Sequence, residues 1–316
     1  MYTKDNILSL EEVKRAKDGT KVTGLIFIKD YTKKPTKNGS TYFVGTCEAM
    51  GSLEFKVWSN SPVYSMIDSE DYKNEVCFIE GKVNIFNGAY SLILDKINSI
   101  DLEDSPITYS DFFEVKYDTK KLYKGIHVLL EKMCKDPNSI KVFDLIMSDP
   151  TVEKRFLVEF AAKTHHDNCL GGLVAHTNKV LSLSRFIAMY PNIIKIHGNM
   201  DIIAVGCALH DVGKIFEYDN GVISEKGAYL SHNTYGVLLL NKYKDKILQL
   251  VDEDFYYRLI SIVEQHHGEF GDYPRTFEAY IVHLIDKFES TLTEINQVLD
   301  NFEVGNTVYY EKFYLS

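Results

Sequence analysis

One short string carries residue types able to do chemistry together: Ala208-Leu209-His210-Asp211-Val212-Gly213-Lys214. An imidazole and a carboxylate stand side by side where an apolar run (Ile202, Ile203, Val205, Leu209) ends, and a glycine follows. At a helix end both side chains can turn to the same side and bind one divalent ion. Other donors lie around this pair. His176 sits upstream in Gly171-Gly172-Leu173-Val174-Ala175-His176-Thr177, and His232, the pair His266-His267 before Gly268, and Asp286 follow downstream. Mixed His and Asp donors suit Mn, Fe, Ni, Co or Zn rather than Ca or Mg, which prefer oxygen shells. A lone histidine on an apolar helix is more often a packed core residue, and a lone His-Asp pair arises by chance. The ordered set on successive helical segments gives the string its weight.

Several neighbours have two readings. Lys214 lies three residues after Asp211 and faces the same way on a continuing helical turn. It is either a group that touches phosphate or stabilises a leaving oxygen, or a surface lysine. His283 shares a helix face with Asp286 and either supports a ligand through a hydrogen bond or simply packs. His166 is a candidate for the mouth of the site, with His165 a weaker case beside it, while His127 and His197 read as structural.

These residues need helices to position them, and from about 119 onward the pattern is helical. Leu122, Ile126, Leu129 and Leu130, then Val142, Leu145 and Ile146, recur at three- and four-residue spacing. Further helices are expected over 152–163, 172–190, 201–210, 232–247, 254–267 and 276–299. Residues 20–100 read differently. Lys21–Asp30, Ser40–Glu48, Leu53–Trp58, Val76–Phe86 and Ala89–Ile97 are strand candidates, the last two joined by the hairpin signal Asn87-Gly88. Five short strands with a Lys-rich loop (Lys33, Lys34, Lys37) after the first and a long connection over 59–75 fit a small closed barrel of the OB type. A flat antiparallel sheet or an SH3-like barrel is the alternative. The acidic, aperiodic stretch 101–118 reads as a linker. The expected organisation is therefore a multidomain α+β chain: barrel 1–100, linker 101–118, helical domain 119–300, and a short aromatic tail 301–316 that docks on its own chain or on a neighbour.

Composition narrows the classes. The 316 residues are 45% hydrophobic and 25% charged, the mix of a soluble globular protein rather than a collagen or a low-complexity chain. No apolar run reaches the ~20 residues of a membrane helix, so no membrane partner is expected. Five cysteines without a CxxC, and no secretory signal, point to reduced thiols in a cytoplasm. The net charge of −10 is uneven. Residues 1–100 carry 13 Lys+Arg against 13 Asp+Glu, and 101–316 carry 22 against 32. Such an acidic helical part repels a polyanion unless bound cations reverse the local field.

The ordered ligand set over roughly 160–290 resembles the HD-domain metal-dependent phosphohydrolases. The resemblance implies an all-α HD domain in which His176, His210, Asp211 and Asp286 hold one ion. A second ion is implied, bridged by Asp211 and held by His232 and His266, with His267 behind the ligands or on the phosphate. A barrel followed by such a domain further resembles the YhaM-type bacterial 3′-to-5′ exoribonucleases. The strings Ala161-Ala162-Lys163, Leu230-Ser231-His232, Gln265-His266-His267-Gly268 and Glu278-Ala279 with His283, Ile285 and Asp286 carry that likeness. The chain departs from the family at Asp167, where a His-His pair keeps only its first member at His166, and at Lys287, where the family has Asn.

What the resemblance implies is a cytoplasmic exonuclease. It would use divalent transition-metal ions, two per chain and Mn first among them, to hydrolyse single-stranded RNA, or DNA, to nucleoside monophosphates. In the barrel, stacking aromatics and a basic track would hold the strand; the candidates are Lys33, Lys34, Lys37, Tyr42, Lys56, Trp58 and Phe86. Trp58 shares its strand face with Glu54 and Lys56, which favours exposure. A homo-oligomer is compatible with this reading. The rival keeps the chemistry but acts on small nucleotides, with the barrel regulatory or assembling.

Overall fold

The computed structural model describes residues 2–86, 88–102, 105–162, 167–188, 198–219, 221–268, 271–300, 308–310 and 313–315, the last stretches from 297 as backbone alone. The chain divides into two compact units, Met1–Glu114 and Val115–Ser316.

The first unit is a closed five-stranded barrel in the order β1-β2-β3-β5-β4. Its strands are β1 (Lys21–Pro35), β2 (Thr41–Glu48), β3 (Ser52–Trp58), β4 (Glu75–Phe86) and β5 (Ala89–Ser99). The β1–β4 pairing and a parallel β3–β5 pairing close it. That order, with one parallel contact, is the OB arrangement and sets aside the flat sheet. Strand β3 shows the alternation that makes the wall: Leu53, Phe55 and Val57 are buried and Glu54 and Trp58 exposed. Strand β1 breaks the alternation because both its faces are covered. Ile26 and Ile28 fill the barrel core. Outside, Leu25 accepts from Leu8 N, and Phe27 packs on Tyr109 and Phe113. A short helix, α1 (Leu10–Arg15), precedes the barrel, and α2 (Val63–Ser69) occupies the long connection.

Two expectations change here. Lys33 and Lys34 are not in a loop, because β1 continues past an irregularity at Ile28/Asp30 and pairs Lys33 with Phe43 and Lys34 with Tyr42. Nor is 101–118 a plain tether. Ile107, Phe112 and Phe113 are buried, and Met50 N donates to Phe112 O, so apolar side chains anchor its middle to the barrel unit.

The second unit is helical: α3 (Thr119–Met133), α4 (Pro137–Met147), α5 (Pro150–Val158), α6 (Gly172–Ala188), α7 (Met200–Leu209), α8 (Lys214–Glu217), α9 (His232–Lys242), α10 (Lys244–Ile247), α11 (Glu253–Gln265) and α12 (Phe277–Asp300). Starts are set by acidic and amide caps. Asp118, Asp136, Asp149, Asn199 and Asp252 each accept a backbone N–H of the first turn. Helix α7 is apolar all round and buried from Asp201 to Leu209, so it must be central; α3, α4, α6, α11 and α12 pack around it. A two-residue hairpin pair, β6 (Tyr218–Asp219) and β7 (Val222–Ile223), interrupts the helices. In the tail, β8 (Val308–Tyr310) pairs with β9 (Phe313–Leu315). Among the described residues no helix is long and apolar enough to cross a membrane.

Candidate metal centre

The site forms where two helices end. His210 caps the C-terminus of α7 and His266 that of α11. Carbonyl-rich helix ends carry partial negative charge and favour cations. Asp211 follows at once, His176 comes from the first turns of α6, His232 opens α9, and Asp286 lies on α12. Gly213 lets two backbones meet, since a Cβ there would collide with His232 O and Gly236 N.

The donors form two groups that share one residue. In the first, His176 Nε2 lies 3.3 Å from His210 Nε2, 3.4 Å from Asp211 Oδ2 and 3.1 Å from Asp286 Oδ1. His210 Nε2 lies 3.4 Å from Asp211 Oδ2 and 3.9 Å from Asp286 Oδ1. In the second, Asp211 Oδ1 faces His232 Nε2 at 3.6 Å and His266 Nε2 at 3.4 Å, and His267 Nε2 is 2.8 Å from His232 Nε2. Donors bound at about 2.0–2.2 Å to one ion stand about 3–3.5 Å apart, and the separations in the two groups, from 2.8 Å to 3.9 Å, bracket that spacing. Asp211 Oδ1 and His266 Nε2 are buried without a hydrogen-bond partner. Orphaned acceptors facing each other in a core are costly, and a cation between them satisfies both. The residues therefore fit divalent ions, and the donor set of imidazoles and carboxylates fits transition metals.

The rings are aimed by hydrogen bonds on their outer edge. His210 Nδ1 donates to Cys207 O at 2.9 Å and His266 Nδ1 to Val263 O at 3.0 Å. His176 Nδ1 donates to Glu289 Oε2 and His232 Nδ1 to Glu217 Oε2, each at 2.6 Å. With Nδ1 as the donor, each of the four rings, when neutral, offers the Nε2 lone pair inward.

Electrostatics agree. Burial opposes a charged His176, yet the hydrogen bonds it donates to Asp286 and Glu289 overcome that and push its pKa up to about 10. Burial likewise opposes ionised Asp211, but Lys214 and His210 hold its carboxyl well below the usual range. Asp286 is held low by His176 against the same burial. The pocket therefore favours positive charge, which a metal ion provides. In the other group, burial and the neighbouring His266 and His232 lower His267 to about 3, so that ring is neutral.

Lys214 is not a surface lysine. It is buried, with Nζ 2.7 Å from Asp211 Oδ2. His267, expected behind the ligands or on the phosphate, brings its Nε2 to 2.8 Å from His232 Nε2 and joins the second donor group. His283 donates Nδ1 to His266 O at 2.7 Å and packs where Gly268 lacks a side chain, so it braces the His266–Gly268 turn. His127 lies edge-on to Tyr123 and faces Asp144. His165, His166 and His197 lie outside the described residues. Sequence reasoning missed Glu217 and Glu289. Their signals were spacing: Glu289 comes three residues after Asp286 and Glu217 three after Lys214.

On the barrel, Lys34, Tyr42 and Trp58 form one row across β1, β2 and β3. Tyr42 and Trp58 stack at 4.9 Å, and Trp58 is 37% exposed. Phe86 is 67% exposed at the end of β4, and Lys37 is exposed in the β1–β2 turn. Lys33 belongs to a different row, paired with Asp68 at 2.8 Å and lying over the Phe43 and Tyr64 rings. Lys56 pairs with Glu54 at 2.8 Å. The structure thus groups Lys34, Tyr42 and Trp58 and separates Lys33 from them.

Residues 173–291 match the family model of the HD domain, a span that encloses every ligand candidate above. This segment has the pattern of an HD domain. Along most of its length the chain is similar to bacterial proteins named 3′-5′ exoribonuclease YhaM. It is 26% identical to that of Bacillus velezensis over 303 residues, covering 91% of this chain and 90% of the other. It is 26% identical to that of a Geobacillus species, covering 94% and 90%. It is 25% identical to that of Bacillus subtilis, covering 91% and 90%. The resemblance expected from the sequence is therefore found. Among solved structures, the mitochondrial single-stranded DNA binding protein Rim1 of S. cerevisiae overlaps 27% of this chain and 98% of its own, at 17% identity and a TM-score of 0.24. A chain of a replication protein A heterotrimer bound to ssDNA overlaps 31% and 84%, at 14% identity and a TM-score of 0.24.

Proposed function

We propose that this chain is a metal-dependent 3′-to-5′ exonuclease that removes nucleoside monophosphates from single-stranded RNA, with DNA as a second substrate, in the cytoplasm. The observation that carries the reading is Asp211, which gives one oxygen to each of two donor groups inside an HD domain. Full-length similarity to the YhaM proteins supplies the substrate class. His176, His210, Asp211 and Asp286 would hold one ion, and Asp211, His232, His266 and His267 the other, with Mn the first candidate. Bound there, such ions supply an acidic water and positive charge against the phosphate oxygens.

The chain's own residues do the rest. The outer hydrogen bonds keep four rings in the tautomer that offers Nε2. Lys214 keeps Asp211 ionised and fixed at Oδ2, leaving Oδ1 to face the second group. On the barrel, the Tyr42–Trp58 stack with Lys34 and Lys37 would grip bases and backbone, with Phe86 at the neighbouring β4–β5 turn, where OB folds bind oligonucleotides.

One observation favours the rival reading. Lys33 and Lys56 are already paired to acids, which leaves a thin basic track and suits a barrel that regulates an enzyme of small nucleotides. A 5′-labelled oligoribonucleotide with Mn²⁺ decides between them. A ladder shortening from the 3′ end is expected, and cleavage of mononucleotides alone would overturn the exonuclease reading.

A further inference from the structure

Each donor group contains one ring aimed by main chain and one aimed by an acid. His210 and His266 donate to carbonyls three residues back on their own helices. His176 and His232 depend instead on Glu289 and Glu217, which stand on other elements. Resting on the two-ion reading above, we propose that Glu289 and Glu217 are positioning residues that set the affinities of the two ions separately, Glu289 for the His176 group and Glu217 for the His232 group.

The chemistry is that of an acid behind a ligand. A carboxylate on Nδ1–H fixes the tautomer, fixes the ring angle and makes Nε2 a stronger donor. Both acids sit on the outer edge of their ring, so they act through the histidine.

The two acids are themselves held differently. Glu289 is 3% exposed on a long helix. Its other oxygen meets Thr293 Oγ1 at 2.6 Å and Lys179 Nζ at 3.4 Å. Lys179 is in turn fixed by Asp167 at 2.7 Å, and Asp167 accepts from Tyr117 OH at 2.6 Å. Glu217 ends a helix of four residues and runs straight into the β6–β7 hairpin. That hairpin is strapped from α5. Arg155 reaches Tyr218 O and Asp219, and the buried Glu159 accepts from Gly221 N at 3.0 Å. One acid is embedded in a network, and the other hangs on a short strapped segment.

The test uses the full chain and Mn²⁺ alone, with calorimetric titration, metal counting and circular dichroism. Wild type should bind two ions. Glu217→Gln should keep one ion at unchanged affinity and weaken the other by about 10–100-fold, with turnover restored by excess Mn²⁺. Glu289→Gln should weaken the opposite ion. Arg155→Ala, which touches no ligand, should weaken the same ion as Glu217→Gln. Unchanged affinities in all three variants, or equal loss of both ions in each, would overturn the positioning roles while leaving the two-ion reading intact. A wild type that binds a single ion would overturn the two-ion reading and this division together.

Discussion

The barrel and the helical unit place their chemistry in opposite environments. In the helical unit His176, His210, Asp211 and His266 are buried at the ends of core helices. The residues that pack the fold and those that would do the reaction are neighbours on the same turns. In the barrel the candidates lie on the outer wall, and the core behind them is apolar. A buried polar group must be satisfied, so its partners are dictated. An exposed lysine has water for a partner, and its role depends on which rows the strand register brings together. The difference teaches that substitutions should act sharply in one unit and gradually in the other.

The strongest way to break that contrast is at Asp211. Asp211→Ala should take hydrolysis to background and release both ions while circular dichroism stays helical, because one carboxylate serves two groups. Full metal occupancy in this variant would end the two-ion assignment. His232→Ala should come next, releasing about one ion of two with a large fall in rate. Two retained ions and a near-normal rate would make His232 a structural residue. Trp58→Ala should then weaken binding of a 20-nucleotide strand about ten-fold, since stacking contributes about 1–3 kcal/mol per base. It should leave cleavage of a dinucleotide unchanged; equal loss on both substrates would remove the stacking role. The smallest effect belongs to Lys33→Ala. That lysine is already occupied by Asp68, so strand binding should not change measurably, and a clear loss would restore it to the track.

How much was legible in advance follows the same division. Candidate metal donors are His and Asp in order on apolar helices, so the cluster of His176, His210, Asp211, His232, His266 and Asp286 could be read from type and spacing. The strands could be read because Leu53, Phe55 and Val57 alternate with polar neighbours. Glu217 and Glu289 could not, because an acid three residues from Lys214 or from Asp286 resembles any helix-surface acid until the ring it meets is in place. Lys33 and Lys34 look alike in a row of lysines, and only the pairing of β1 with β2 sends them to different faces. The stretch 101–118 looked like a linker because its acidic residues mask Phe112 and Phe113, whose burial depends on covering Phe27.

Gly213 has a consequence for which ions the centre can accept. With no side chain there, the turn carrying Asp211 rests directly on the main chain that opens α9 at His232. The gap across which a second ion would sit is therefore set by backbone against backbone, which yields far less than two rings that can swing. An ion whose bonds are longer by a few tenths of an ångström, such as Ca²⁺ at about 2.3–2.6 Å, would have to be accommodated by the side chains alone. If two ions bind as proposed, the missing methyl would act as a gauge block, and the centre would sort its metals by radius as well as by the softness of its donors.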